Sequence, residues 1–130
     1  MLKKILVGEL IDDGEALLAE LDRTGFPVSA AFWVDLPDSE YWRLVLASPL
    51  IDIYGPMDAY KKVQRALVSM KLGATRPSGL SLDDISVFSP NDQDYLALRQ
   101  VAAGPGRLGM GPAHGRAHRR VFEDAHIYRL

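Results

Sequence analysis

The chain has 130 residues, of which 48% are apolar and 25% charged, and a formal net charge of −2. Those values describe one globular domain with a core large enough to stand without disulfides or a structural metal, and they exclude a disordered chain. They leave no global charge field to recruit nucleic acid or anionic lipid.

The absence of cysteine excludes disulfide scaffolds, thiolate zinc sites and cysteine nucleophiles. Ile5-Leu6-Val7 is too short for a signal peptide, and no segment approaches the ~18 apolar residues of a membrane span. A cytoplasmic protein with no membrane contact is the expectation. Charge is nevertheless polarised along the chain. Residues 9–22 hold six acids and no bases, whereas 104–130 hold five arginines against Glu123 and Asp124.

The first predicted element is a helix over 9–23, with Leu10, Leu17 and Leu21 on one face and Gly25 as its stop. Residues 27–35 and 41–48 read as strands, being rich in β-branched and aromatic residues. Leu36–Glu40 is the right length for a hairpin between them. Two registers fit. One sets Val28, Ala30, Phe32 and Val34 on the face of Trp42, Leu44 and Leu46; the other puts Trp33 and Trp42 together. Either way both faces carry large apolar groups, so helices or a second subunit must cover both sides.

Residues 49–55 read as a loop. Gly55-Pro56 opens a second helix, with proline at its first position, and Tyr60, Val63, Leu67 and Met70 follow at helical spacing up to Gly73. Residues 73–80 read as an internal linker. Residues 82–88 predict a strand with Ile85 and Val87 inward. Ser89-Pro90-Asn91-Asp92 predicts a serine-capped helix to about residue 103. A Gly/His/Arg-rich loop over 104–118 and a final strand or hairpin arm over 119–130 complete the chain. The expected fold is a single α+β domain, a mostly antiparallel sheet packed by about three helices in the order α-β-β-α-β-α-β-β.

Four blocks carry a family likeness: Leu21-Asp22-Arg23-Thr24-Gly25-Phe26-Pro27-Val28; Trp42 to Leu50 followed by Gly55-Pro56; Ser81 to Pro90; and Glu123 to Leu130. Together the four blocks resemble a family of small uncharacterised prokaryotic proteins with no assigned activity. The resemblance implies an independently folding unit and assigns no functional residue. The chain departs from it most over the histidine-rich residues 113–119.

Candidate chemistry is sparse. Gly104-Pro105-Gly106-Arg107-Leu108-Gly109 matches G-x-G-x-x-G, but a helix precedes it and Pro105 deletes a backbone donor, so a turn is the better reading. His114 and His118 stand four apart in a glycine-rich segment where that spacing loses its geometric force, so no metal site and no cofactor are expected. Arg107, His114, Arg116, His118, Arg119 and Arg120 form the candidate phosphate or nucleic-acid contact, with ribonuclease chemistry by a histidine pair as its catalytic extension. The plainer reading is a solvated loop whose charges guard a strand edge.

Trp33, Tyr41, Trp42 and Arg43 at the hairpin tip are the candidate interface, a composition shared by interface anchors and small-sheet cores. Asp12/Asp13 and Asp83/Asp84 read as capping and solvation rather than as carboxylate dyads. The expected function is therefore a non-catalytic protein-interaction module, a homodimer or a subunit of an assembly. Nucleic-acid or phosphate binding through 107–120 is the alternative.

Overall fold

The computed structural model describes residues 8–35, 41–73, 79–103 and 125–130. Four strands, β1 (Ala30–Val34), β2 (Arg43–Ala47), β3 (Ile85–Phe88) and β4 (Ala125–Arg129), form one sheet in the order β3-β2-β1-β4. Helices α1 (Gly8–Arg23) and α3 (Pro56–Gly73) cover one face, and α4 (Gln93–Ala103) the other. A one-turn helix, α2 (Leu50–Tyr54), occupies what reads in sequence as a loop.

All five side chains of β1 are buried. Its pairing sets Trp33 opposite Leu44 and Ala31 opposite Leu46, which is the register that puts Trp33 and Trp42 on one face. That face joins Leu17, Leu21, Val63, Leu67, Ile85 and Val87 in the larger core. The alternate residues Ala30, Phe32, Val34, Val45 and Ala47 meet Tyr95 and Ala102 of α4. Small residues on both sides of that second contact let the helix backbone lie close to the sheet. The ring of Tyr95 stacks with Phe32 at 6.4 Å between centroids.

The sheet is mixed. β1 is antiparallel to both β2 and β4, but β2 and β3 run parallel, joined by a crossover through α2 and α3. The free edge of β3 is capped by a side chain. Ser48 N–H donates to the Phe88 carbonyl, so the backbone groups of Phe88 point at β2 and those of the neighbouring Val87 point away from it, toward the free edge. The Val87 N–H donates to the Tyr60 hydroxyl at 2.9 Å, which occupies one donor of that edge.

Helix boundaries follow local chemistry. After α1, Gly25 adopts φ +83°. Phe26 N–H then donates to the Leu21 carbonyl, and Gly25 N–H to that of Asp22, a Schellman end with Phe26 packed beside Leu21. Over 82–88 the expected strand is shortened. Ser81 and Asp84 form a reciprocal capping box that turns Leu82–Asp84 into a 3₁₀ turn, and the strand starts at Ile85. The predicted serine cap of the last helix is also corrected. Asp92 Oδ1 accepts from the Asp94 and Tyr95 N–H groups and caps α4, while Ser89 Oγ donates to Asp52 Oδ2 at 2.9 Å. Of the predicted 73–80 linker, Gly73 belongs to α3 and Leu80 is fully buried in the larger core, and 74–78 lie outside the described residues. The hairpin link 36–40, the loop over 104–118 and the first residues of the predicted final arm also lie outside them.

One polar tie joins three elements. Trp33 Nε1–H donates to the Tyr128 hydroxyl at 3.0 Å, and that hydroxyl donates to the Ile11 carbonyl of α1. A β-bulge in the β1–β4 pairing, which skips Tyr128, lets both Tyr128 and Arg129 reach α1. The Tyr128 ring lies so close to α1 that a Cβ on Gly14 would collide with its oxygen. Burial pushes the Tyr128 hydroxyl up from 10.0 to about 12; the acids Glu15, Asp12 and Asp13 push the same way, against the Trp33 hydrogen bond.

Gly14→Ala is expected to cost about 2 kcal/mol by overpacking, and Tyr128→Phe about 2 kcal/mol by stranding the Trp33 donor. The double variant should lose less than the sum, because the clashing oxygen is also the hydrogen-bonding one. Denaturant unfolding of the four proteins checks the cycle. Because its folded pKa is raised, Tyr128 contributes stability that is complete below pH 10.0 and lost as pH rises toward about 12. The unfolding midpoint should therefore fall more steeply over that window in the wild type than in Tyr128→Phe.

Candidate interaction surfaces

The residues chosen from sequence separate sharply in space. Arg107, His114, Arg116, His118, Arg119 and Arg120 lie outside the described residues. Trp33 is interior, 1% exposed. Trp42 is half-buried against the larger core. Arg43 is committed within the sheet: Nη1 donates to Ser86 Oγ at 3.0 Å and Nη2 to the Asp83 carbonyl at 3.3 Å, which ties β2 to the start of β3. Of the four hairpin residues only Tyr41, at 71% exposure, presents a large apolar surface to water.

His126 packs edge-on against Tyr128, 5.1 Å between ring centroids. Among the described residues no group of three or more His, Asp or Glu side chains is arranged to hold a metal ion. Asp84 is used by its capping box, in line with the capping expected of that pair.

Parallel strands commonly offer a ligand site beyond their carboxyl ends. Here that position holds Ser48, Asp52 and Ser89. The Ser48 oxygen accepts the Leu50 N–H at 3.2 Å, and Ser89 is bonded to Asp52 and accepts the Asn91 N–H. These groups fasten two chain turns to each other, and among the described residues the one carboxylate bonded to either serine, Asp52, serves as that fastening.

The surface feature missed in sequence is at the α2–α3 junction. Leu50 and Ile51 of α2 pack inward. The same short turn leaves Ile53 65% and Tyr54 62% exposed, and Met57, just past it, 71%. Gly55 joins the two helices at φ +87°, a backbone state that glycine adopts without strain. The Lys62 ammonium lies 5.6 Å from the Tyr54 ring centroid and 2.7 Å from Asp58 Oδ2. An excess of apolar residues over what one helical turn can bury was the available signal.

Among the described residues, α1 is flanked by a groove and a cleft. A groove of about 520 Å³ runs between α1 and β4, past Glu15 and His126, and its Asp22 and Arg129 pair with each other at 2.9 Å. A cleft of about 350 Å³ opens between the end of α1 and the middle of α3. At its rim Glu20 is held below its ordinary value by hydrogen bonds from Arg23 and Ser69.

No family model, no curated protein and no solved structure matches the chain.

The hydrogen bond from Arg129 holds the Asp22 carboxyl below its ordinary 3.8. A lowered folded pKa means that this ion pair contributes fully above the unfolded value and is lost as pH falls through the folded one. Both partners are more than a third exposed, so solvent screening keeps the contribution small. Wild type should exceed Asp22→Asn in stability at pH 6, and the gap should close below pH 3.8; thermal melts across that range check it.

Proposed function

We propose that the chain is a non-catalytic protein-interaction module, working as a homodimer or as a subunit of a small assembly, with the α2–α3 junction as its docking surface. The observation that carries this reading is the exposure of Ile53, Tyr54 and Met57 within five residues of chain. Water contact at three large apolar side chains is an unrewarded cost unless a partner covers them. Tyrosine and methionine are also among the residues enriched at protein interfaces.

Magnitudes limit the kind of association. The three side chains are about two-thirds exposed, so covering them is worth roughly 3–6 kcal/mol in gross transfer free energy, while association costs an estimated ~4–15 kcal/mol. The junction alone therefore supports a reversible complex. A tight one needs further contacts, and exposed Tyr41 is an available anchor.

Light scattering coupled to size exclusion, across roughly micromolar to millimolar protein, tests the reading. The wild type is expected to rise above monomer mass with concentration or to carry a co-purifying protein. Ile53→Asp/Met57→Asp, whose positions are solvent-exposed and should not affect folding, is expected to abolish both. A wild type that stays monomeric and bare throughout overturns the reading, as does an association equally strong in the variant.

A further inference from the structure

We propose that the cleft between the end of α1 and the middle of α3 binds a small amphipathic organic anion, an acid head group on a short apolar body. This site is separate from the proposed docking junction and does not depend on it. Its volume, about 350 Å³, falls within the usual range of small-molecule pockets.

The lining divides into two chemistries. Leu50 supplies most of the apolar surface, with the edges of the buried Phe26 and Ala66 at the cleft floor, and Arg23, Lys62 and Arg65 supply three cations against the single acid Glu20. The charges are not equally spent. Arg23 is paired with Glu20, and Lys62 with Asp58. Arg65 forms no ion pair with any described residue, so one guanidinium faces the cleft with its fork of donors unused. A guanidinium recognises a planar or tetrahedral acid group through two parallel hydrogen bonds. Glu20 does not cancel this attraction, because its negative charge is already engaged by Arg23 and Ser69. A neutral apolar ligand would leave Arg65 unanswered, and a multiply charged hydrophilic one would desolvate against Phe26 and Leu50 without return. An amphipathic monoanion satisfies both halves.

The probe is octanoate, titrated into the ¹⁵N-labelled full chain and followed by amide chemical shifts, with 1-octanol as the uncharged arm. Saturable shifts centred on Gly25, Phe26, Ala66 and Ser69 are expected, in roughly the millimolar range for so small a ligand. Arg65→Glu, at an exposed helix position, should weaken octanoate by about tenfold and leave octanol unchanged. Arg99→Glu, on α4 across the sheet, should leave octanoate unchanged. Shifts centred on Ile53, Tyr54 and Met57 instead overturn the proposal. So does equal octanoate affinity in wild type and Arg65→Glu, or equal weakening by Arg65→Glu and Arg99→Glu.

Discussion

Strand β1 has no side chain that tolerates water on either face, and the rest of the architecture answers that constraint. Ala30, Phe32 and Val34 need one cover, and Ala31 and Trp33 another. A hairpin buried on one side only would leave several large apolar groups solvated, at roughly 1.5–3 kcal/mol each. Two helices therefore close one side and α4 the other, and the polar edges of the sheet are displaced outward to β3 and β4. The outer strand β3 accordingly reverts to alternation, with Ile85 and Val87 buried and Ser86 and Phe88 less so.

A second level of organisation is polar and sparse. The Tyr128 hydroxyl accepts from Trp33 and donates to Ile11, so the largest buried side chain and the first helix share a single oxygen. The fit depends on Gly14, a residue that weakens a helix by itself and is kept where a side chain would strike the ring. At the opposite end of the sheet, Arg43 and Tyr60 do comparable work on β3, one through Ser86 and the Asp83 carbonyl, the other through an outward N–H. Among the described residues, Trp33 and Arg43, two of the four hairpin residues that stand out in the sequence, are consumed in this way. Ile53, Tyr54 and Met57, among the described residues, are surface that local patterning disguises as core.

The legible parts of the fold are those decided within a few residues. The spacing of Leu17 and Leu21, the glycine after α1, the proline opening α3 and the inward pair Ile85 and Val87 all stand as read. The illegible parts were decided at a distance. Nothing local tells whether β3 runs with or against β2. Ser89 and Asp92 are both capping residues by type, and the contact with Asp52, 37 positions away, diverts Ser89. α2 has five residues and proline at its N-cap position, too short a run to show a helical period of its own. Ile53 and Tyr54 read as part of a loop and Met57 as the first turn of the helix after it, so their shared exposure depends on the α2–α3 geometry. The cleft is assembled from three elements separated in sequence, and the spare charge on Arg65 becomes visible only when the partners of its neighbours are known.

The bond between Trp33 and Tyr128 spans 95 positions of chain. Closing so long a loop before any contact rewards it makes the return of β4 a late step in assembly. Until then one flank of Ala30–Val34 is an open ladder of high β-propensity with no charge to deter a neighbour. The same uncharged run that organises the finished sheet is thus its kinetic hazard, and crowding during refolding should divert chains into intermolecular sheet through that flank.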